Sequence, residues 1–191
     1  MTPGEHGGYH PAETTDAALV RSTLDGDATA FAELVDRHSR ACLRYATRML
    51  GNREDAEEVT QEALLRAHRA LARYDGRTSF RTWLMSILIN RCRTSLLQRR
   101  RRTVRVVLDD AAVQRAHVDG AASNADLRFT IERALLELDA GQREAFVLKH
   151  VEQLSYEEMA SATGVGVSAL KMRVQRACDR LQQLLVEDRH A

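Results

Sequence analysis

Apolar and polar positions along the chain follow a helical period almost throughout. From near Asp27 to Leu50, the residues Phe31, Leu34, Val35, His38, Cys42, Tyr45, Ala46 and Met49 recur at helical spacing and predict one long amphipathic helix. Gly51 is its expected stop, because glycine takes the left-handed conformation that closes a helix. A short helix from Asp16 to about Asp25, closed by Gly26, precedes it. Downstream, Asn52 can cap a helix whose first turn holds Glu54 and Asp55, where the helix dipole favours carboxylates; this helix reaches roughly Tyr74. "YDGRTS" is a turn, and beyond it Phe80, Trp83, Leu84, Ile87 and Leu88 define a buried face. That apolar run is too short for a bilayer and Arg81 interrupts its start, so the chain is not read as a membrane protein.

After Arg102 the periodicity weakens through "TVRVVLDDAAVQRAHVDGAASNAD". A loop of that length is unusual inside one compact domain, so residues 103–125 are expected to form a flexible linker. Periodicity returns in four pieces, Asp126 to Leu138, Gly141 to Val151, Ser155 to Thr163 and Ser168 to about Val186. The predicted fold is all-α: a disordered tail (1–15), a helical domain (16–102), the linker, and a small helical bundle (126–187).

Composition agrees with this reading and narrows the chemistry. The 191 residues include only two prolines and few aromatics, while the abundant Ala, Leu, Arg and Glu lose little rotamer freedom in a helix. Cys42, Cys92 and Cys178 are far apart, with no CxxC pair, so neither a disulfide framework nor a structural zinc site is expected. The amino terminus has no cationic segment followed by an apolar one, and a cytoplasmic location is the default. His6 and His10 sit in a Gly/Pro-rich tail and are read as bystanders; no metal or cofactor is expected. There is no Gly-rich phosphate loop and no nucleophile elbow, which argues against an enzyme.

Net charge is only +1, but its distribution is polarised. No acidic residue occurs from Gly76 to Leu108, a span that contains Arg91, Arg93, Arg99, Arg100, Arg101, Arg102 and Arg105. Acidic residues gather instead in "NREDAEEVTQEALL". Asp55, Glu58 and Glu62 share one helix face there, and the two opposite charges suggest two different partners.

The sharpest local pattern is "LSYEEMASATGVGVSALKMRVQRACDRL", a helix-turn-helix. Ser155 and Glu158 form a capping box, Ala160 allows close helix approach, Gly164 makes the turn, and Ser168 is a candidate cap for the second helix. On that helix Leu170, Val174, Ala177 and Leu181 face inward. Lys171, Met172, Arg173, Gln175, Arg176 and Arg180 are left on its flanks and outer surface, as suits a recognition helix in a major groove.

Three stretches, "DAEEVTQEALLRAHRAL", "TSFRTWLMSILINRCRTSLLQRRRR" and "LSYEEMASATGVGVSALKMRVQRA", occur in an order that resembles bacterial RNA polymerase sigma factors of the extracytoplasmic-function group, sigma-70 family. The resemblance covers the span from about Asp16 to Leu185. It implies a non-catalytic subunit that binds core RNA polymerase and directs promoter-specific transcription initiation. By that resemblance Asp55, Glu58, Gln61 and Glu62 dock on the clamp coiled coil of the largest subunit, and the flap region is a further contact. Asn90, Arg91, Cys92 and Arg93 match a specificity loop between two helices that reads the minus-ten element as single-stranded DNA. Tyr74 matches an aromatic position beside that pocket, and Arg99, Arg100, Arg101 and Arg102 are expected to track phosphates. Ser168, Ala169, Lys171, Met172, Arg173, Gln175, Arg176 and Arg180 are the expected contacts to the duplex minus-thirty-five element. An anti-sigma partner is also implied.

This sequence departs from the family pattern at Thr94, where Asp is common, at Cys178, where Arg is common, and at Ala140, where Pro is common. The competing reading is a helix-turn-helix repressor or activator that binds duplex DNA unaided. It accounts for the carboxy terminus and leaves the acidic helix and the Asn-Arg segment unexplained.

Overall fold

The computed structural model describes residues 14–109 and 124–187, with side chains for 14–101 and 130–187. The described elements are helical, in the order α1 (Asp16–Leu24), α2 (Ala28–Leu50), α3 (Arg53–Ala70), α4 (Phe80–Asp109), α5 (Asn124–Glu137), α6 (Ala140–Phe146), α7 (Tyr156–Thr163) and α8 (Val167–Glu187). A 3-10 turn (Leu71–Arg73) follows α3, and α6 runs on into a π-helical turn (Val147–Val151).

Helix ends fall where local chemistry puts them. The side chains of Thr15, Asp27 and Asn52 accept hydrogen bonds from the N–H groups of Ala18, Thr29 and Asp55, satisfying donors that lack a partner inside the helix. Gly51 closes α2 at φ 69°. Two expectations change. α4 is continuous past Arg102 to Asp109, so the first residues assigned to the linker belong to a helix. α5 begins at Asn124, slightly before Asp126. The rest of the linker, most of the tail with His6 and His10, and the Arg102 and Arg105 side chains lie outside the described residues.

The core is built where α2 packs on α3 and α4, around the fully buried Leu34, Tyr45, Met49, Leu84, Met85, Leu88 and Ile89. It continues without a break into Ala145, Val147, Leu148, Leu154, Met159, Leu170 and Val174. The two halves, expected on a tether, therefore share apolar surface. A satellite cluster of Ala134, Leu135, Leu138, Ala177 and Leu181 ties α5 to α8. His38 is a core histidine as expected: its Nε2 lies 2.8 Å from Asp16 Oδ2, and its ring is 5.4 Å from that of Phe80.

Gly51 also marks a contact between the halves. A Cβ at this position would lie 2.8 Å from Leu136 Cδ2. Gly51→Ala places a side chain in the left-handed region and is expected to destabilise the fold by about 1–2 kcal/mol, readable in urea unfolding. An unchanged midpoint would contradict the assignment.

Burial pushes the Cys42 and Cys92 thiols up to about 12. Both stay protonated when folded, whereas the unfolded chain sheds these protons near the ordinary value of 9.0. The raised folded values mean that stability present below pH 9.0 is lost progressively as pH rises toward about 12. At neutral pH a thiol reagent is expected to modify the half-buried Cys178 first, with Cys42 and Cys92 reacting only on unfolding. Equal native labelling of all three would refute this burial pattern.

Candidate docking and nucleic-acid surfaces

The acidic face of α3 divides in two. Asp55 and Glu62 turn toward α4, where Asp55 Oδ2 lies 3.6 Å from Arg99 Nη1. Glu62 accepts hydrogen bonds from Arg66 at 2.9 and 3.1 Å and also from Arg91. Burial alone would raise Glu62, but the guanidinium bonds outweigh it and hold its carboxyl below the usual range. Glu58 and Gln61 are exposed and line a groove of about 640 Å³ between α2 and α3 with Ser39, Arg40, Leu43, Glu57, Thr60 and Leu64. Arg40 and Leu43 escaped sequence reading because only the pairing of α2 with α3 brings them to the acidic residues.

The second surface is on α4 and the turn before it. Tyr74 is half-buried, its ring 5.2 Å from Trp83 and 5.9 Å from Phe80, and its hydroxyl donates to the Thr78 carbonyl at 2.6 Å. Burial raises its phenol above the ordinary value. Asn90 is exposed, and the Thr94 hydroxyl donates back to its carbonyl at 2.8 Å, using the hydroxyl within the helix.

Three expectations for this surface are corrected. There is no loop between two helices at Asn90, because α4 runs unbroken from Phe80 to Asp109. Cys92 is fully buried, facing the core one residue before Arg93, so its side chain cannot touch a strand in this arrangement. Arg93 is not an open cation: its Nε and Nη2 donate to Glu144 at 2.8 and 2.7 Å. Arg91 is engaged by Glu62, and Arg99 donates to the Leu50 carbonyl at 2.9 Å. Arg100 and Arg101 are exposed.

The third surface is the helix-turn-helix. The Ser155 hydroxyl accepts from the Glu158 N–H at 3.1 Å, while the Glu158 carboxylate accepts from the Ser155 N–H at 2.8 Å. Gly164 makes the turn at φ 71°. Leu170, Val174, Ala177 and Leu181 are buried, as their spacing required. α8 starts at Val167, so Ser168 lies inside the first turn and is not the cap. Ser168, Ala169, Lys171, Met172, Gln175, Arg176 and Arg180 are exposed, with Met172 at 54%. Arg173 is half-buried against Gly141, where a Cβ would come within 3.6 Å of its guanidinium.

Among the described residues, no group of three or more His, Cys, Asp or Glu could hold a metal ion. No described helix is long and apolar enough to cross a membrane.

Comparison with known proteins assigns these surfaces a family. Residues 34–102 match Sigma-70 region 2, and residues 128–181 match Sigma-70, region 4. The chain is 33% identical to ECF RNA polymerase sigma factor SigM of Mycobacterium tuberculosis over 94% of this chain and 88% of that one. It is also 33% identical to RNA polymerase sigma factor CarQ of Myxococcus xanthus, over 85% of this chain and 93% of the relative. Its structure resembles CnrH in complex with the cytosolic domain of CnrY (TM-score 0.67, 30% identity, 91% of this chain and 98% of that one). It also resembles the sigma factor RpoE in complex with the anti-sigma factor NepR from Bartonella quintana (TM-score 0.68, 28% identity, 81% and 96%).

The chain belongs to the sigma-70 family of RNA polymerase sigma factors, in the extracytoplasmic-function group. It is thus a non-catalytic specificity subunit that directs promoter-specific transcription initiation by binding RNA polymerase.

Proposed function

We propose a division of that activity among the three surfaces. The α2–α3 groove, with Glu58 and Gln61 on its wall, docks on the clamp coiled coil of the polymerase's largest subunit. Asn90 and the arginines of α4, with Tyr74 at the turn, take the minus-ten element as an unpaired strand: amide hydrogen bonds and an aromatic wall offset the lost base stacking, and guanidiniums hold phosphates. The outer face of α8 enters the major groove of the minus-thirty-five duplex while the flap region supports the same half. Asp55 and Glu62 act in part by setting the positions of Arg99 and Arg91. The protein works in the cytoplasm, and the complex of the similar RpoE with NepR supports an anti-sigma partner here too.

The observation that carries this reading is the α7–α8 unit. A capping box and a left-handed glycine set the turn, and Ser168, Ala169, Lys171, Gln175, Arg176 and Arg180 on α8 remain exposed beside a buried apolar stripe. Adding the purified protein to core polymerase and a promoter library is expected to produce specific starts. Arg176→Ala is expected to weaken minus-thirty-five recognition by about 1–3 kcal/mol, the worth of one bidentate base contact. Absence of any specific start with active components would overturn the reading. Tight sequence-specific duplex binding as a dimer without polymerase would favour an autonomous regulator instead.

A further inference from the structure

Among the described residues of the carboxy-terminal half, Met172 is the most exposed large apolar side chain, at 54%. Its direction follows from the stripe it opposes. Leu170, Val174, Ala177 and Leu181 are buried, and at about 3.6 residues per turn Met172 lies roughly 170° around α8 from their mean direction. It therefore points away from the core in the second turn of the helix, with Ser168 one turn before it and Arg176 one turn after it on the same exposed face.

Two polar neighbours on that face are already engaged. The Gln175 amide nitrogen donates to Asp179 Oδ1 at 2.9 Å, and Lys171 Nζ lies 5.6 Å from the centre of the Tyr156 ring, which Lys149 Nζ approaches at 4.8 Å. Between them stands a thioether, flexible and without a hydrogen to donate. Base edges in a major groove present nitrogen and oxygen groups with one apolar exception, the C5-methyl of thymine. A methionine pressed on adenine, guanine or cytosine strips water from donors and acceptors and offers them no replacement, whereas on a thymine methyl it covers apolar surface with apolar surface.

We propose that Met172 is a specificity-determining residue that selects a thymine in the minus-thirty-five duplex through its C5-methyl group. The proposal rests on the placement of α8 in the major groove proposed above and adds what the centre of that helix face reads there. Lys171 and Arg176 beside it have no means of sensing a methyl group, so the discrimination belongs to Met172.

The test uses the full chain with core polymerase on a duplex promoter drawn from the library, its minus-thirty-five thymines replaced one at a time on either strand by deoxyuridine, which lacks only the methyl. With wild-type protein one replacement is expected to weaken promoter binding about fourfold, the effect of burying roughly one methyl group. Met172→Ala is expected to bind the thymine and deoxyuridine promoters equally at that position. Met172→Leu, which keeps an apolar side chain of similar volume, is expected to retain the preference. Because the side chain is exposed, both variants should melt at the wild-type temperature. A deoxyuridine response that persists unchanged in Met172→Ala, no response at any position, or a selected element without thymine overturns the proposal. Arg176→Ala reports separately on the underlying reading: weakened minus-thirty-five recognition beside a flat deoxyuridine scan removes Met172 alone, whereas indifference both to Arg176→Ala and to scrambling of the element withdraws α8 from the groove.

Discussion

Truncating Phe80 to alanine is expected to lower stability by about 3–5 kcal/mol, a large share of what a domain of this size possesses. Phe80 is 3% exposed at the first position of α4, with ring centroids of Trp83, Tyr74 and His38 at 5.6, 5.9 and 5.4 Å. It joins α2, the turn after α3 and α4, so its removal opens a cavity between elements that cannot close together. The chain has one tryptophan, Trp83, and its fluorescence reports directly on this cluster. A lowered denaturation midpoint with a red-shifted Trp83 emission is the expected result; an unaltered midpoint would show that the cluster does not hold the turn. Because Tyr74 hydrogen-bonds across that turn to Thr78, the proposed capture of the unpaired minus-ten strand should also weaken at temperatures where the variant remains folded.

Reversing the exposed wall of the α2–α3 groove is expected to abolish polymerase binding without unfolding the chain. Glu58→Arg with Gln61→Arg changes the local charge on a face whose residues have no partner to lose in the core, so stability should move by no more than about 0.5 kcal/mol. Binding to a complementary surface should weaken at least about a hundredfold, in line with the 2–5 kcal/mol attached to a broken interfacial charge contact. Pull-down with core polymerase and a parallel thermal melt separate the two quantities, and unchanged affinity would move the docking surface elsewhere. The same substitution at Asp55 or Glu62 is a poorer test. Those carboxylates face Arg99 and Arg91, so a reversal there also disturbs the contact of α3 with α4.

Much of the fold was legible because it is written locally. The α2 stripe from Leu34 to Met49, the caps at Asp27 and Asn52, the stop at Gly51 and the Ser155–Glu158 box each depend on residues within a turn of one another. The end of α4 is hidden for the same reason in reverse: beyond Arg102 its sequence carries no strong amphipathic pattern, and the helix nevertheless continues to Asp109. At Asn90 the chain's polar break looks like a loop, yet the apolar residues on either side keep one helix in register, which buries Cys92 and turns Arg93 toward Glu144.

The helical class, the order of the elements, the helix-turn-helix and the acidic and basic segments all follow from the chain's local pattern, since period, capping and charge runs are short-range properties. Tertiary structure alone decided which charges are available. Packing of α3 on α4 pairs Asp55 and Glu62 with arginines and leaves Glu58 and Gln61 to the groove; packing of the carboxy-terminal half on α2 and α4 commits Arg44, Arg81 and Arg93 to Glu152 and Glu144. A guanidinium's role depends on what lies within about 3 Å of it, and for these residues that neighbour is dozens of positions away along the chain.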